Sequence, residues 1–127
     1  MKGVFESPPE ALIAYEEICR FVERLPERDK EGRHVRCHEV AKAAKVVLGS
    51  TGSFRVVDGH WGPYEHSWLV STRLQRIIDP YSIRRLPLVQ LIDPFLLYGV
   101  DYREGSSRND IRWKVVERLV MAGIRSS

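Results

Sequence analysis

The stretch His66-Ser67-Trp68-Leu69-Val70-Ser71-Thr72-Arg73-Leu74-Gln75-Arg76-Ile77-Ile78-Asp79-Pro80 decides the fold. Its two halves, 66–72 and 74–79, are rich in β-branched and bulky apolar residues, so they read as adjacent antiparallel strands. A turn centred between Thr72 and Arg73 sets His66 opposite Asp79, with both side chains on one face. Directly opposed residues hold their Cβ atoms roughly 4.5–5.5 Å apart, within reach of an imidazole–carboxylate hydrogen bond. A slip of one residue would turn Asp79 to the other face, so the turn is under a strict demand. The same register puts Trp68 opposite Ile77 and Val70 opposite Gln75, an apolar wall beside the imidazole. Thr72-Arg73 lacks the Asn-Gly signature of a tight hairpin, and a four-residue loop with the same centre serves equally.

Working outward, 54–58 reads as a further strand and 59–63 as turn-like, which makes the middle of the chain an antiparallel meander. Upstream, Cys37 opens an apolar-periodic helix with Val40, Ala41, Ala44, Val47 and Leu48 on one face and Glu39, Lys42 and Lys45 toward water, ending near Gly49. A first helix starts at Ser7-Pro8-Pro9-Glu10, where serine and glutamate form a capping box, and stops at Pro26. Its stripe is Leu12, Ile18, Phe21, Val22 and Leu25, and Cys19 on that face is a core thiol. Residues 27–36 are charged, contain Gly32 and read as a loop.

Downstream, Pro80, Pro87 and Pro94 interrupt apolar runs, and short strands, turns and helix fragments all stay open for 80–105. A last helix over 109–122 carries Ile111, Val115, Val116, Leu119 and Val120, with its cap within 107–110. The expectation is one α+β domain spanning 1–127, with N-terminal helices packed on an antiparallel sheet and a C-terminal helix.

The 127 residues, 43% apolar, suffice for one core without metal or disulfide staples. A net charge of +3 is too small to argue for nucleic acid, and Arg73, Arg76, Arg84 and Arg85 read as a solvated face. Cys19 and Cys37 lack a CxxC spacing, so reduced thiols are expected. With no apolar run of signal or membrane-spanning length, the expectation is a soluble, cytoplasmic protein without membrane contact. Oligomeric state is not written in the sequence.

The order Cys37, His66, Asp79 suits nucleophilic chemistry. At a helix N-terminus, unsatisfied N–H groups and the helix dipole favour a thiolate, and a neighbouring imidazolium strengthens that preference. A thiolate–imidazolium pair oriented by a carboxylate can attack a carbonyl, form a thioester and pass the acyl group to water or an amine. Cys37 is then the nucleophile, His66 the base and acid, and Asp79 the orienting group. The Cys37 N–H supplies one oxyanion donor; a second is not identified.

Arg36-Cys37-His38-Glu39 before an alanine-rich helix, Arg55-Val56-Val57-Asp58-Gly59, His66-Ser67-Trp68-Leu69-Val70 and Ile77-Ile78-Asp79-Pro80 together resemble transglutaminase-like domains, a branch of the papain-like cysteine enzymes. In that family a cysteine opens a helix, a histidine begins an H-x-W strand, and an aspartate before proline ends the next strand. The likeness runs over 36–81, a little over a third of the chain. It implies a papain-like core and a thiol-dependent hydrolase or acyltransferase acting on an amide (peptide or isopeptide) or thioester bond of a peptide or protein substrate. No metal or organic cofactor is implied. Two departures stand out: no glutamine shortly precedes Cys37, and no Ser, Thr, Asp or Asn caps its helix. Trp61 or Tyr64 could supply the missing donor, as loop aromatics do in some relatives, and with Trp68 they are the expected substrate-binding residues.

Rival readings remain. Asp58 and Asp93 compete with Asp79 for the third position. His34, Cys37 and His38, with His60 or His66, offer zinc donors at an unfamiliar spacing. Taken alone, Cys37 is an inert buried thiol, with His38 and Glu39 as exposed helix residues. A non-catalytic domain of the same fold, binding a peptide or an acidic partner through its aromatic loop and arginines, completes the alternatives.

Overall fold

The computed structural model describes residues 8–26, 28, 32–82, 89–90, 102–105 and 111–124. Over these the chain is α+β. Helix α1 spans Pro9–Glu23, α2 Cys37–Leu48 and α3 Trp113–Ile124; strands are β1 Arg55–Trp61, β2 Tyr64–Ser71, β3 Arg76–Ile78, β4 Val89–Gln90 and β5 Tyr102–Glu104. They form one sheet in the order β4-β3-β2-β1-β5, antiparallel at every pairing.

The two sheet faces have different jobs. Leu69 and Ile78 join Ile18 and Phe21 of α1, Val40 and Ala44 of α2, and Val116 and Leu119 of α3 in the main core. The opposite face buries Val57, Trp68, Val70 and Ile77, with Tyr102 packed against them. Each large side chain removed from water contributes roughly 1.5–3 kcal/mol, which is why the helices stay on the sheet. At Gly123 of α3, an added Cβ would come within 1.9 Å of the Phe21 ring, so only glycine admits that aromatic between the helices. Arg24 closes the same contact by donating to the Gly123 carbonyl at 2.9 Å.

Helix α1 ends at Glu23 in a tightened turn, before Leu25 and Pro26. Glu10, the acidic half of the expected capping box, accepts from the Gly52 N–H and from Arg73 Nη2, both at 2.7 Å. Ser7 lies outside the described residues, as do 107–110, Arg84, Arg85, Pro87 and Asp93-Pro94. α3 begins at Trp113, later than expected, with its stripe as read at Val115, Val116 and Leu119.

The hairpin between β1 and β2 is tighter than expected. Residues 59–61 are strand, Trp61 pairs with Tyr64, and Gly62-Pro63 alone turn the chain. Gly62 takes φ 59°, the positive value a two-residue hairpin turn of this kind needs, and Pro63 holds the next φ negative.

The β2–β3 register departs from expectation in an instructive way. Leu69 pairs with Ile78 and Val70 with Ile77, so the turn is centred between Arg73 and Leu74 rather than Thr72 and Arg73. Leu74 is not strand; it is buried in the main core and draws the loop over the sheet. Its N–H is met by Ser71 Oγ at 3.1 Å, while Gln75 accepts φ 56° to close the loop. The pairing is thereby displaced by two residues. An even displacement keeps every side chain on its expected face.

Candidate functional site

Because the register moved by two, Asp79 lies diagonal to His66 instead of directly across from it, and still on the same face. Diagonal neighbours stay within reach of long side chains. Asp79 Oδ2 is 2.7 Å from His66 Nε2, and both groups are buried. With Nε2 engaged there, Nδ1 is the ring atom left for a second partner, and the Cys37 thiol at the start of α2 lies close enough to the ring to favour its protonated form. Cys37, His66 and Asp79 therefore meet, from the start of α2, the body of β2 and the residue after β3. Of the two rivals, Asp58 is committed to Ser67 and Lys42, and Asp93 lies outside the described residues.

Burial pushes the His66 pKa down, but the hydrogen bond and charge of Asp79, with the neighbouring Cys37, outweigh it. The result is a rise from 6.5 to about 9, so His66 is an imidazolium at neutral pH.

Aromatic rings enclose this imidazole. Trp68 stacks on it at 6.0 Å, Trp61 lies tilted at 6.1 Å, Tyr81 stands edge-on at 6.3 Å and Tyr102 lies tilted at 6.4 Å. Trp68, the third expected substrate-binding residue, is buried and stands as a wall behind the ring. Trp61 and Tyr64 flank the β1–β2 turn on the His66 face, and Tyr64 is 65% exposed. Tyr81, 53% exposed, joins this rim and was not foreseen.

Tyr102 is the second unforeseen member. Its hydroxyl donates to Asp79 Oδ2 at 2.8 Å, the same oxygen that faces His66, and its ring meets Trp68 edge-on at 5.0 Å. β5 brings it there by lying tightly against β1: a Cβ on Gly59 would stand 2.1 Å from the Arg103 carbonyl oxygen. The glycine is thus a condition of the Tyr102 contact. Gly59 was the one available signal, since a glycine within a strand marks close approach of another backbone.

Two residues beside the cysteine also correct the sequence reading. His38 and Glu39 are buried rather than exposed. Glu39 accepts the Arg36 N–H at 3.1 Å, capping α2 from its own third position. It also takes Arg112 Nε at 2.7 Å and Nη2 at 2.9 Å, a two-pronged pair reaching in from just before α3. Burial alone would raise the Glu39 pKa, but the hydrogen bonds from Arg112 and the Arg36 backbone and the charge of both arginines hold it below the usual carboxylate range. His38 Nδ1 is 2.5 Å from Ser67 Oγ, which donates to Asp58 Oδ1 at 2.5 Å; Lys42 Nζ reaches the same oxygen at 3.3 Å.

Among the described residues, no group of three or more His, Cys, Asp or Glu side chains is arranged to hold a metal ion. Cys19 and Cys37 are free thiols. Cys19 is half-buried against the core, and burial raises its pKa, opposed by the neighbouring Tyr15. Among the described residues no helix is long and apolar enough to cross a membrane. In comparisons with known proteins, no family, no curated protein and no solved structure matches this chain.

Proposed function

We propose that the protein is a thiol-dependent hydrolase or acyltransferase that acts on an amide or thioester bond of a peptide or protein through Cys37, His66 and Asp79. The observation that carries this reading is one imidazole held between two partners, a buried carboxylate at 2.7 Å and a thiol at the start of a helix. The motif order that resembles transglutaminase-like domains points the same way, toward a papain-like core.

In this scheme the Cys37 thiolate attacks the acyl carbon, and the carbonyl electron pair moves to oxygen. The tetrahedral intermediate collapses by expelling the amine or thiol, which takes its proton from the His66 imidazolium and leaves a Cys37 thioester. Neutral His66 then removes a proton from water or an amine as it attacks that thioester, and the acid or new amide departs with thiolate and imidazolium restored. Asp79 keeps the ring oriented and balances its charge throughout. The aromatic walls exclude water, which strengthens each of these electrostatic terms. The half-exposed Trp61 and the exposed Tyr64 and Tyr81 form the rim where a substrate chain would lie.

The test needs no knowledge of the natural substrate. Site-resolved alkylation of Cys37 by iodoacetamide, followed across pH, should show fast reaction at mildly acidic pH. In His66→Ala that reaction should slow by about tenfold or more. An activated thioester should leave an acyl group on Cys37, visible by mass and absent in Cys37→Ser. Equal, sluggish labelling of wild type and His66→Ala, with no acyl adduct, would favour a non-catalytic binding module instead.

A further inference from the structure

The proposed reaction leaves unused a second polar chain that runs beside it. The first turn of α2 faces β2 through two successive side chains: Cys37, near enough to His66 to act on its protonation, and His38, hydrogen-bonded to Ser67. Neighbouring residues of a strand point to opposite faces, so the helix start straddles β2. Cys37 meets the face that carries Trp68 and Val70, and His38 meets the face that carries Leu69. β3 pairs with β2 only across residues 69–71, which leaves the edge beside His66 and Ser67 clear of that strand.

The hydrogens of the chain can be assigned. Ser67 gives its single proton to Asp58, so its oxygen accepts from His38, and the His38 proton must sit on Nδ1. Asp58 in β1 then takes Lys42, one turn further along α2. Four side chains thus close a loop from α2 through β2 and β1 back to α2, with Ser67 wholly buried at its centre.

We infer that His38, Ser67 and Asp58 are positioning residues for the thiol–imidazole pair: their closed chain fixes the depth and rotation of the α2 start against β2, and with it the approach of Cys37 to His66. The inference rests on the reading of Cys37 and His66 as the reacting groups. None of the three is seen to touch them with its side chain; each acts through the backbone of an adjacent residue or through the next member of the chain. Electrostatics fit the same division of work. Burial holds the His38 pKa below its usual value, aided by Arg36, Lys42 and His66 and opposed by Asp58, so His38 stays neutral beside a charged His66. The link to Ser67 uses Nδ1–H and survives in either protonation state.

The experiment is the pH profile of Cys37 alkylation, site-resolved to exclude Cys19, in Ser67→Ala, His38→Leu, His38→Asn and Asp58→Ala, each melted in parallel. Ser67→Ala and His38→Leu should shift the profile toward alkaline pH, with Cys37 roughly tenfold slower at mildly acidic pH. Asn presents a donor near the Nδ1 position and should restore the wild-type profile. Asp58→Ala, at the solvent-facing end of the chain, keeps a folded protein in the comparison should the buried variants fail, and should show a smaller shift of the same sign. A wild-type profile in a folded Ser67→Ala, His38→Leu or Asp58→Ala, with only the melting temperature lowered, overturns the inference and leaves the proposed function standing. A wild-type Cys37 that is itself indifferent to His66→Ala overturns both.

Discussion

Asp79 Oδ2 receives two donors, His66 Nε2 at 2.7 Å and the Tyr102 hydroxyl at 2.8 Å, inside a buried pocket. The charge of this carboxylate, together with its hydrogen bond, is a leading reason that His66 holds its proton up to about 9. Asp79→Asn keeps the shape and removes the charge, so the His66 pKa should fall from about 9 toward the usual 6.5, as read by titration of its ring-carbon protons in NMR. An unchanged His66 titration would mean that Cys37 alone sustains the shift. The pairing of His66 with Asp79 was legible because strand alternation survives any even change of register. The turn centre was not, because Leu74 is taken into the core by a tertiary contact, and its apolar character reads equally well as strand. Tyr102 was invisible for a related reason: nothing local to residues 102–104 says which edge of the sheet they join.

At the scale of elements, the start of α2 is held from below by Glu39, whose side chain is 0% exposed and paired with Arg112. A carboxylate so placed is tolerated only while its charge is answered. Arg112→Ala should therefore destabilise the fold by about 3 kcal/mol, the lower end of the range for a broken buried pair because Arg36 still stands 3.3 Å away. The measure is a shift of the urea midpoint at constant m-value. Removing both charges, in Glu39→Leu with Arg112→Leu, should recover much of the loss; a double variant as weak as the single one would show that packing, not the unanswered charge, sets the cost. The sequence reading put Glu39 toward water because helical periodicity counts neighbours on one helix, whereas its partner lies 73 residues away. The helices themselves, set by proline and apolar spacing, were legible to within a few residues. The α2 cap was missed because Glu39 performs it with no Ser, Thr, Asp or Asn before the helix.

The whole molecule carries charge linkages of opposite sign at its two pH limits. On the acid side, Glu39 and Asp58 have pKa values below their usual range in the fold: burial opposes the shift, while for Glu39 the Arg112 hydrogen bond and for Asp58 the Ser67 hydrogen bond and Lys42 overcome it. Their stabilisation is full above the ordinary carboxylate values and is lost as pH falls through the depressed ones. His38 adds to the same limb, since the unfolded chain takes up a proton there that the buried ring resists. On the alkaline side His66 is the group that acts below pH 9, and Cys19 and Tyr15, whose pKa values burial raises from 9.0 and 10.0, add to the loss only at higher pH. The His66 pKa rises on folding from 6.5 to about 9, so its contribution is complete below 6.5 and disappears as pH climbs through about 9. The shift corresponds to stability on the order of 3 kcal/mol. Melting temperature should accordingly plateau between the two limbs and decline from near neutrality toward pH 9. In His66→Gln, which cannot take the proton, the alkaline decline should flatten while the acid limb stays. An alkaline decline of equal steepness in that variant would assign it to other groups and remove the charged imidazole from the account of why the sheet, the helix start and Asp79 hold together.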